Sequence, residues 1–217
     1  MNNTMRKRLW QAVGCLTAFV LWTLVLCAVD VQSIGPRHTA VGLATINGFV
    51  HRMTGVNMAI YHVTDWLGLV PVAIGFGFAA LGLAQWMRRK SIRKVDFDLW
   101  VLGGFYLLML AVYLLFESVV INYRPVLISG FLEVSYPSST TLLVLCVMPT
   151  TMLQLHRRIH RRRLRYILQT IIVLFMLFMV IGRLLAGVHW LTDIVGGILL
   201  AGSMVLLYDA ICLIKKE

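Results

Sequence analysis

His189 and Asp193 lie four residues apart in GRLLAGVHWLTD, and a helix through 189–193 would put both on one face. There the carboxylate can accept a proton from one ring nitrogen and leave the other free as a nucleophile. The same pair also fits a plain helix start, with Asp193 near the positive end of the dipole. Two arginines bear on the choice. Arg183 follows Gly182 in an apolar stretch, and Arg124 precedes Pro125 in ESVVINYRP. A guanidinium offers forked donors to phosphate oxygens, and phosphoryl transfer needs such preorganised positive charge. A third polar patch, YPSST from Tyr136 to Thr140, opens an apolar run. Pro137 stiffens that approach, and Ser138 or Ser139 can cap a helix whose N-terminus would also suit an anion.

These patches need a scaffold that brings them together. The chain has 217 residues, 59% hydrophobic and 13% charged, too apolar for a soluble domain. The net charge of +11 is spread in short runs between apolar segments, which argues against a nucleic-acid surface. The four cysteines (Cys15, Cys27, Cys146, Cys212) form no CxxC pair, so neither a disulfide framework nor a zinc site is readable.

Apolar runs long enough to cross a bilayer occur at about 9–29, 63–87, 97–121, 138–155, 166–186 and 191–213. The expected fold is therefore all-α: a polytopic six-helix membrane bundle, one domain over 1–217. The first run is read as a retained span, being longer than a signal-peptide core and without a clear cleavage site. In the fourth, Thr150 and Thr151 are expected to satisfy carbonyls around Pro149. Gly103, Gly104, Gly196, Gly197 and Gly202 are read as close helix packing. The segment 30–62 is too polar to span. Leu43, Ile46, Val50 and Met53 repeat there at helical spacing, with Asn47, His51 and Arg52 on other faces, which indicates a short interfacial helix between spans 1 and 2, either a packed cap or a wall of a lipid entrance.

Sixteen of the twenty Lys and Arg fall in alternate connections (Arg6 to Arg8, Arg88 to Lys94, Arg157 to Arg165, Lys215 and Lys216), leaving only Arg37, Arg52, Arg124 and Arg183 elsewhere. The positive-inside rule then places both termini in the cytoplasm and all three polar patches on the extracytoplasmic face of a cell membrane.

Arg-Pro at 124–125, Pro-Ser-Ser at 137–139 and R-x5-H-x3-D at 183–193 resemble, in order and spacing, the three motifs of the type 2 phosphatidic acid phosphatase superfamily, which includes lipid phosphatases and undecaprenyl pyrophosphate phosphatases. The resemblance implies that His189 forms a phosphohistidine, that Asp193 orients it, and that Arg124 and Arg183 hold the phosphate. It further implies that Ser138 and the amides around Ser139 bind phosphate oxygens, with no metal or other cofactor. The chain departs from the pattern twice: Glu117 stands where the family has a lysine, and Ser139-Thr140 where it has Gly-His. The absent histidine normally protonates the leaving oxygen.

That loss weighs most on a basic leaving group. An alkoxide approaches the basicity of hydroxide, with a conjugate-acid pKa near about 15.7, whereas a departing phosphate is near about 6. A lipid diphosphate of the undecaprenyl pyrophosphate kind is thus the favoured substrate over phosphatidate. Glu117 must pair with Arg124 or Arg183, stay protonated and act as a substitute acid, or point away. The alternative function is a relative that binds or translocates lipid phosphates without turnover. Partners implied are the bilayer and a lipid phosphate or diphosphate, not nucleic acid.

Overall fold

The computed structural model describes residues 3–214 and is all-helical, without a strand among them. Its elements are α1 (Asn3–Ala28), α2 (Ala44–Thr54), α3 (Met58–Leu67), α4 (Leu69–Arg89), α5 (Phe97–Ser118), α6 (Ser139–Arg158), α7 (Arg162–Leu185) and α8 (Leu191–Leu213). Taking α3 and α4 as one broken span, six helices are long and apolar enough to cross a membrane. This is a multi-pass membrane protein. Lys215 and Lys216, counted for topology, lie outside the described residues.

The layout reflects which helices carry small or polar residues. Half of α6 and of α8 is buried, against about one-sixth of α1, α5 and α7, most of whose leucines, isoleucines and valines face outward. In lipid, apolar side chains gain nothing by burial against one another, so small residues and hydrogen bonds mark the inner helices. Gly196 meets the Tyr136 ring, and Gly197 meets Thr141 and the Ser138 carbonyl, so any side chain there would push α6 and its approach off α8. Gly103 and Gly104, by contrast, have open space before them, so close packing does not account for them.

Thr150 donates to the Cys146 and Val147 carbonyls and Thr151 to that of Val147, so these hydroxyls bond within the turn before Pro149, but neither reaches the Leu145 carbonyl that the proline leaves without its i−4 donor. Phe19, Leu102, Phe105, Tyr136, Leu200 and Tyr208 form part of one core cluster joining α1, α5, the approach to α6 and α8.

Helix α2 forms where expected. Ile46 and Met53 face outward, and Asn47 is fully buried. Its amide donates to the Gly42 carbonyl and the Thr192 hydroxyl, and its Oδ1 accepts the Thr192 N–H at 3.2 Å, which clasps α2 to the first turn of α8. A hydrophobic stripe cannot say whether it meets protein or lipid, and here the polar face meets protein.

Candidate functional site

The site is assembled at the end of the bundle where α5, α7 and the hairpin 122–135 meet the starts of α6 and α8. His189 is not helical. Trp190 is the N-cap residue of α8 and Asp193 sits in its first turn, so the expected i, i+4 helical face is replaced by a helix-entry geometry. Asp193 Oδ2 accepts the Trp190 N–H at 2.9 Å and stands 3.6 Å from His189 Nδ1, while Oδ1 accepts from Asn122 at 3.3 Å. The helix cap thus fixes the carboxylate, which faces one edge of the imidazole. Gly187, with φ +66°, makes the approach possible, because a side chain there would collide with the Gly55 carbonyl.

The other edge faces Arg183, whose Nη2 lies 3.3 Å from His189 Nε2. A guanidinium can only donate, so Nε2 carries the lone pair and Nδ1 the proton. His189 is 3% exposed; burial, then the charges of Arg124 and Arg183, push its pKa well below the ordinary histidine value, against a smaller opposing effect of the Ser135 carbonyl. The imidazole is neutral at physiological pH, the form that can attack phosphorus.

Both arginines are buried. Arg183 is 1% exposed and held by α3: its Nη1 donates to Thr64 Oγ1 at 3.4 Å and lies 3.7 Å from Asp65 Oδ1, and its plane sits 5.1 Å from the Tyr61 ring centre. Arg124 belongs to the hairpin, where its N–H donates to the Glu133 carbonyl and Ser135 N–H to the Asn122 carbonyl. Its Nε is 3.0 Å from Glu133 Oε2, an ion pair without hydrogen-bond alignment. Arg124 Nη1, Arg183 Nε, Ser135 Oγ and His189 Nδ1 are buried and have no hydrogen-bond partner, Asp193 standing at ion-pair distance from the last. Such donors are costly unless a ligand uses them, at about 1–3 kcal/mol each, and an anion with several acceptor oxygens would satisfy those of the two arginines.

Ser138 caps α6. Its Oγ accepts from Thr141 Oγ1 at 3.0 Å and from the Thr141 N–H at 3.5 Å, while its own N–H donates to the Asp193 carbonyl. The Trp190 indole donates to the Tyr123 carbonyl, which together with the Ser138–Asp193 bond ties all three sequence patches, and the Tyr136 hydroxyl shares a 2.7 Å bond with Thr23 of α1. Thr140 and Ser139 line a groove of about 450 Å³ between α4, α5 and α6, with Asp65 at the same groove. Glu117 is exposed at the end of α5, beside the Tyr113 hydroxyl, and shares a crevice with Ser139; the carboxylates near Arg124 and Arg183 are Glu133 and Asp65 instead.

The sequence reading missed Asn122, Glu133, Ser135 and the α3 trio Tyr61, Thr64 and Asp65. The trio's i, i+3, i+4 spacing was a signal that went unused. Among the described residues no group of three His, Cys, Asp or Glu side chains stands ready to hold a metal ion.

The model of the PAP2 superfamily matches residues 119–212, the stretch that contains Arg124, Ser138, Arg183, His189 and Asp193. The PAP2 resemblance is borne out. A crystal structure of a transmembrane PAP2 type phosphatidylglycerolphosphate phosphatase from Bacillus subtilis superposes on 95% of this chain and 97% of its own, with a TM-score of 0.55 and 18% sequence identity. The PAP2 fold therefore extends over the N-terminal helices that the family model does not reach. No curated protein matches the chain.

Proposed function

We propose that this PAP2 chain is a membrane lipid phosphatase acting on a lipid-linked phosphate or diphosphate. The observation that carries the reading is the buried, neutral His189 with its Nε2 against Arg183 and its Nδ1 edge against a capped Asp193. Nε2 attacks phosphorus, and the bond to the leaving oxygen breaks as a phosphohistidine forms. Water then releases phosphate. Arg124 and Arg183 stabilise charge on the equatorial oxygens with donors already in place. Thr141 donates twice to Ser138 Oγ, which leaves the Ser138 O–H free to join the Ser139 and Thr140 end of α6 in holding the phosphate. Asp193 keeps the Nδ1–H tautomer and stabilises the imidazolium character that develops, as the third member of a catalytic triad does.

Residues 1–217 act as one domain with both termini cytoplasmic and the site on the extracytoplasmic side. Support for this orientation comes from the basic connections gathering at the opposite end of the bundle. Thr140 cannot supply an acidic proton, which favours a diphosphate of the undecaprenyl pyrophosphate kind, whose leaving phosphate needs little help. Glu117 and Thr140 also motivate a second reading, a binder or carrier without turnover.

Phosphate release from a small panel of lipid mono- and diphosphates, by purified protein and by His189→Ala, separates the two. The enzyme reading expects turnover in the parent and nearly none in the variant. Absence of release from every lipid, with binding retained in both proteins, would establish the carrier.

A further inference from the structure

Asp65 lies outside the three motifs, on the last turn of α3 before Gly68 interrupts the span. The geometry points to Asp65 as the proton donor to the leaving oxygen, because one guanidinium, that of Arg183, has the nucleophile at one amino group and the Asp65 carboxyl at the other. This inference rests on the phosphatase reading above.

In-line displacement puts the leaving oxygen opposite the attacking nitrogen, across the phosphoryl oxygens that the guanidinium holds. With Nε2 of His189 3.3 Å from Nη2, and Oδ1 of Asp65 3.7 Å from Nη1, the nucleophile and the carboxyl flank the place such a group would take. Asp65 also stands where a lipid chain would leave that place. It lines the groove that holds Ser139 and Thr140 at one end and continues along Leu69, Val72 and Leu110. An apolar chain lying on those residues has its first oxygen at the polar end.

Asp65 is the only carboxyl lining this groove among the described residues; the other side chains there with exchangeable protons are the hydroxyls of Ser139, Thr140 and Tyr113. The Tyr113 hydroxyl already has Glu117 beside it. A carboxylic acid is a far better donor than any hydroxyl. The side chain is 58% exposed, so water can reach it, unlike the sealed Asp193. A bound phosphate dianion that comes to share Arg183 with it is a second negative charge, which brings a proton onto the Asp65 carboxyl before the step.

In the first step the His189 Nε2 lone pair forms the bond to phosphorus and the P–O electron pair moves to the leaving oxygen. That oxygen takes the Asp65 proton, giving a lipid alcohol or lipid phosphate and an Asp65 carboxylate. In the second step the carboxylate takes a proton from the water that attacks the phosphohistidine, which returns neutral His189, free phosphate and protonated Asp65.

The test is Asp65→Asn assayed on an alkyl phosphate lipid and on a polyprenyl diphosphate, with Asp65→Glu as the conservative variant. For Asp65→Asn the expected result is a fall in kcat of about 10²-fold on the monoester. On the diphosphate the expected loss is less than about 3-fold, since its leaving group needs little proton transfer. Asp65→Glu restores much of the loss. A carboxylate that merely neutralises Arg183 predicts otherwise: Asp65→Asn would leave kcat unchanged and lower KM, with the same ratio between the two lipids. Equal losses on both substrates, or no recovery with Asp65→Glu, overturn the donor role alone. Absence of turnover in the parent on either lipid defeats the phosphatase reading and this one with it.

Discussion

Arginines beside carboxylates occur at both ends of this bundle, yet the two ends are built differently. At the basic end Arg158 donates to Asp96 at 3.1 Å, to Asp98 at 3.0 Å and to Gln154 at 3.0 Å, and Arg89 reaches Asp96 at 2.8 Å. Every one of these side chains except Gln154 keeps some solvent exposure. The Asp96 carboxyl is pushed down to about 2: burial opposes this, and the bonds from Gln85, Arg89 and Arg158 outweigh it. At the other end Arg124 and Arg183 are buried, and each retains a donor without a partner. A network whose bonds close on themselves ties α4, α5 and α6 together. One left open at depth is destabilising on its own and is sustained by what it binds. Arginine content alone does not distinguish the two; satisfaction of the donors does.

The comparison breaks most sharply at Asp193. Asp193→Asn is expected to lower kcat by about 10²–10⁴-fold, because the imidazole loses the partner that fixes its tautomer, and steady-state phosphate release measures this. Arg183→Lys keeps the charge but loses the fork that spans His189 and α3. The same assay should show a loss of about 10²-fold. Asn47→Ala leaves the Thr192 N–H at the start of α8 buried without its acceptor, and thermal unfolding in detergent should show about 1–3 kcal/mol of destabilisation. At the closed end, Arg158→Ala is expected to cost only about 1 kcal/mol in the same experiment, with turnover per folded molecule unchanged.

The pH dependence sharpens the contrast. His189 has a lowered pKa, so it remains neutral as pH falls through the usual histidine range, and kcat should show no acidic limb near about 6.5. Folding has the opposite sensitivity there, since unfolded chains bind a proton at His189 that the native state refuses, so this residue's contribution falls as pH drops below that value.

Six spans were legible in the sequence because hydrocarbon thickness and the absence of charge leave little choice of element, and the motif order was legible because its residues are local. What was not legible depended on pairing across the fold. For Glu117 the sequence leaves pairing with Arg124 or Arg183, protonation and pointing away all open; it lies at the exposed end of α5, and Glu133 and Asp65 stand beside those arginines instead. The spacing of His189 and Asp193 indicated their proximity correctly while assigning it to a helical face, when a helix cap provides it. In α2 the apolar stripe was legible but the face that meets protein was not, because lipid and protein interior are alike to a hydrophobic residue and only the buried Asn47 distinguishes them.

The central claim is that His189 becomes covalently phosphorylated. The most direct measurement is brief incubation with a lipid substrate labelled in its transferable phosphate, an alkaline quench, and detection of label on the protein. The account predicts a base-stable, acid-labile phosphoryl group on the parent chain and none on His189→Ala. Label of equal amount on both, or phosphate release by His189→Ala at the parent's rate, would contradict it.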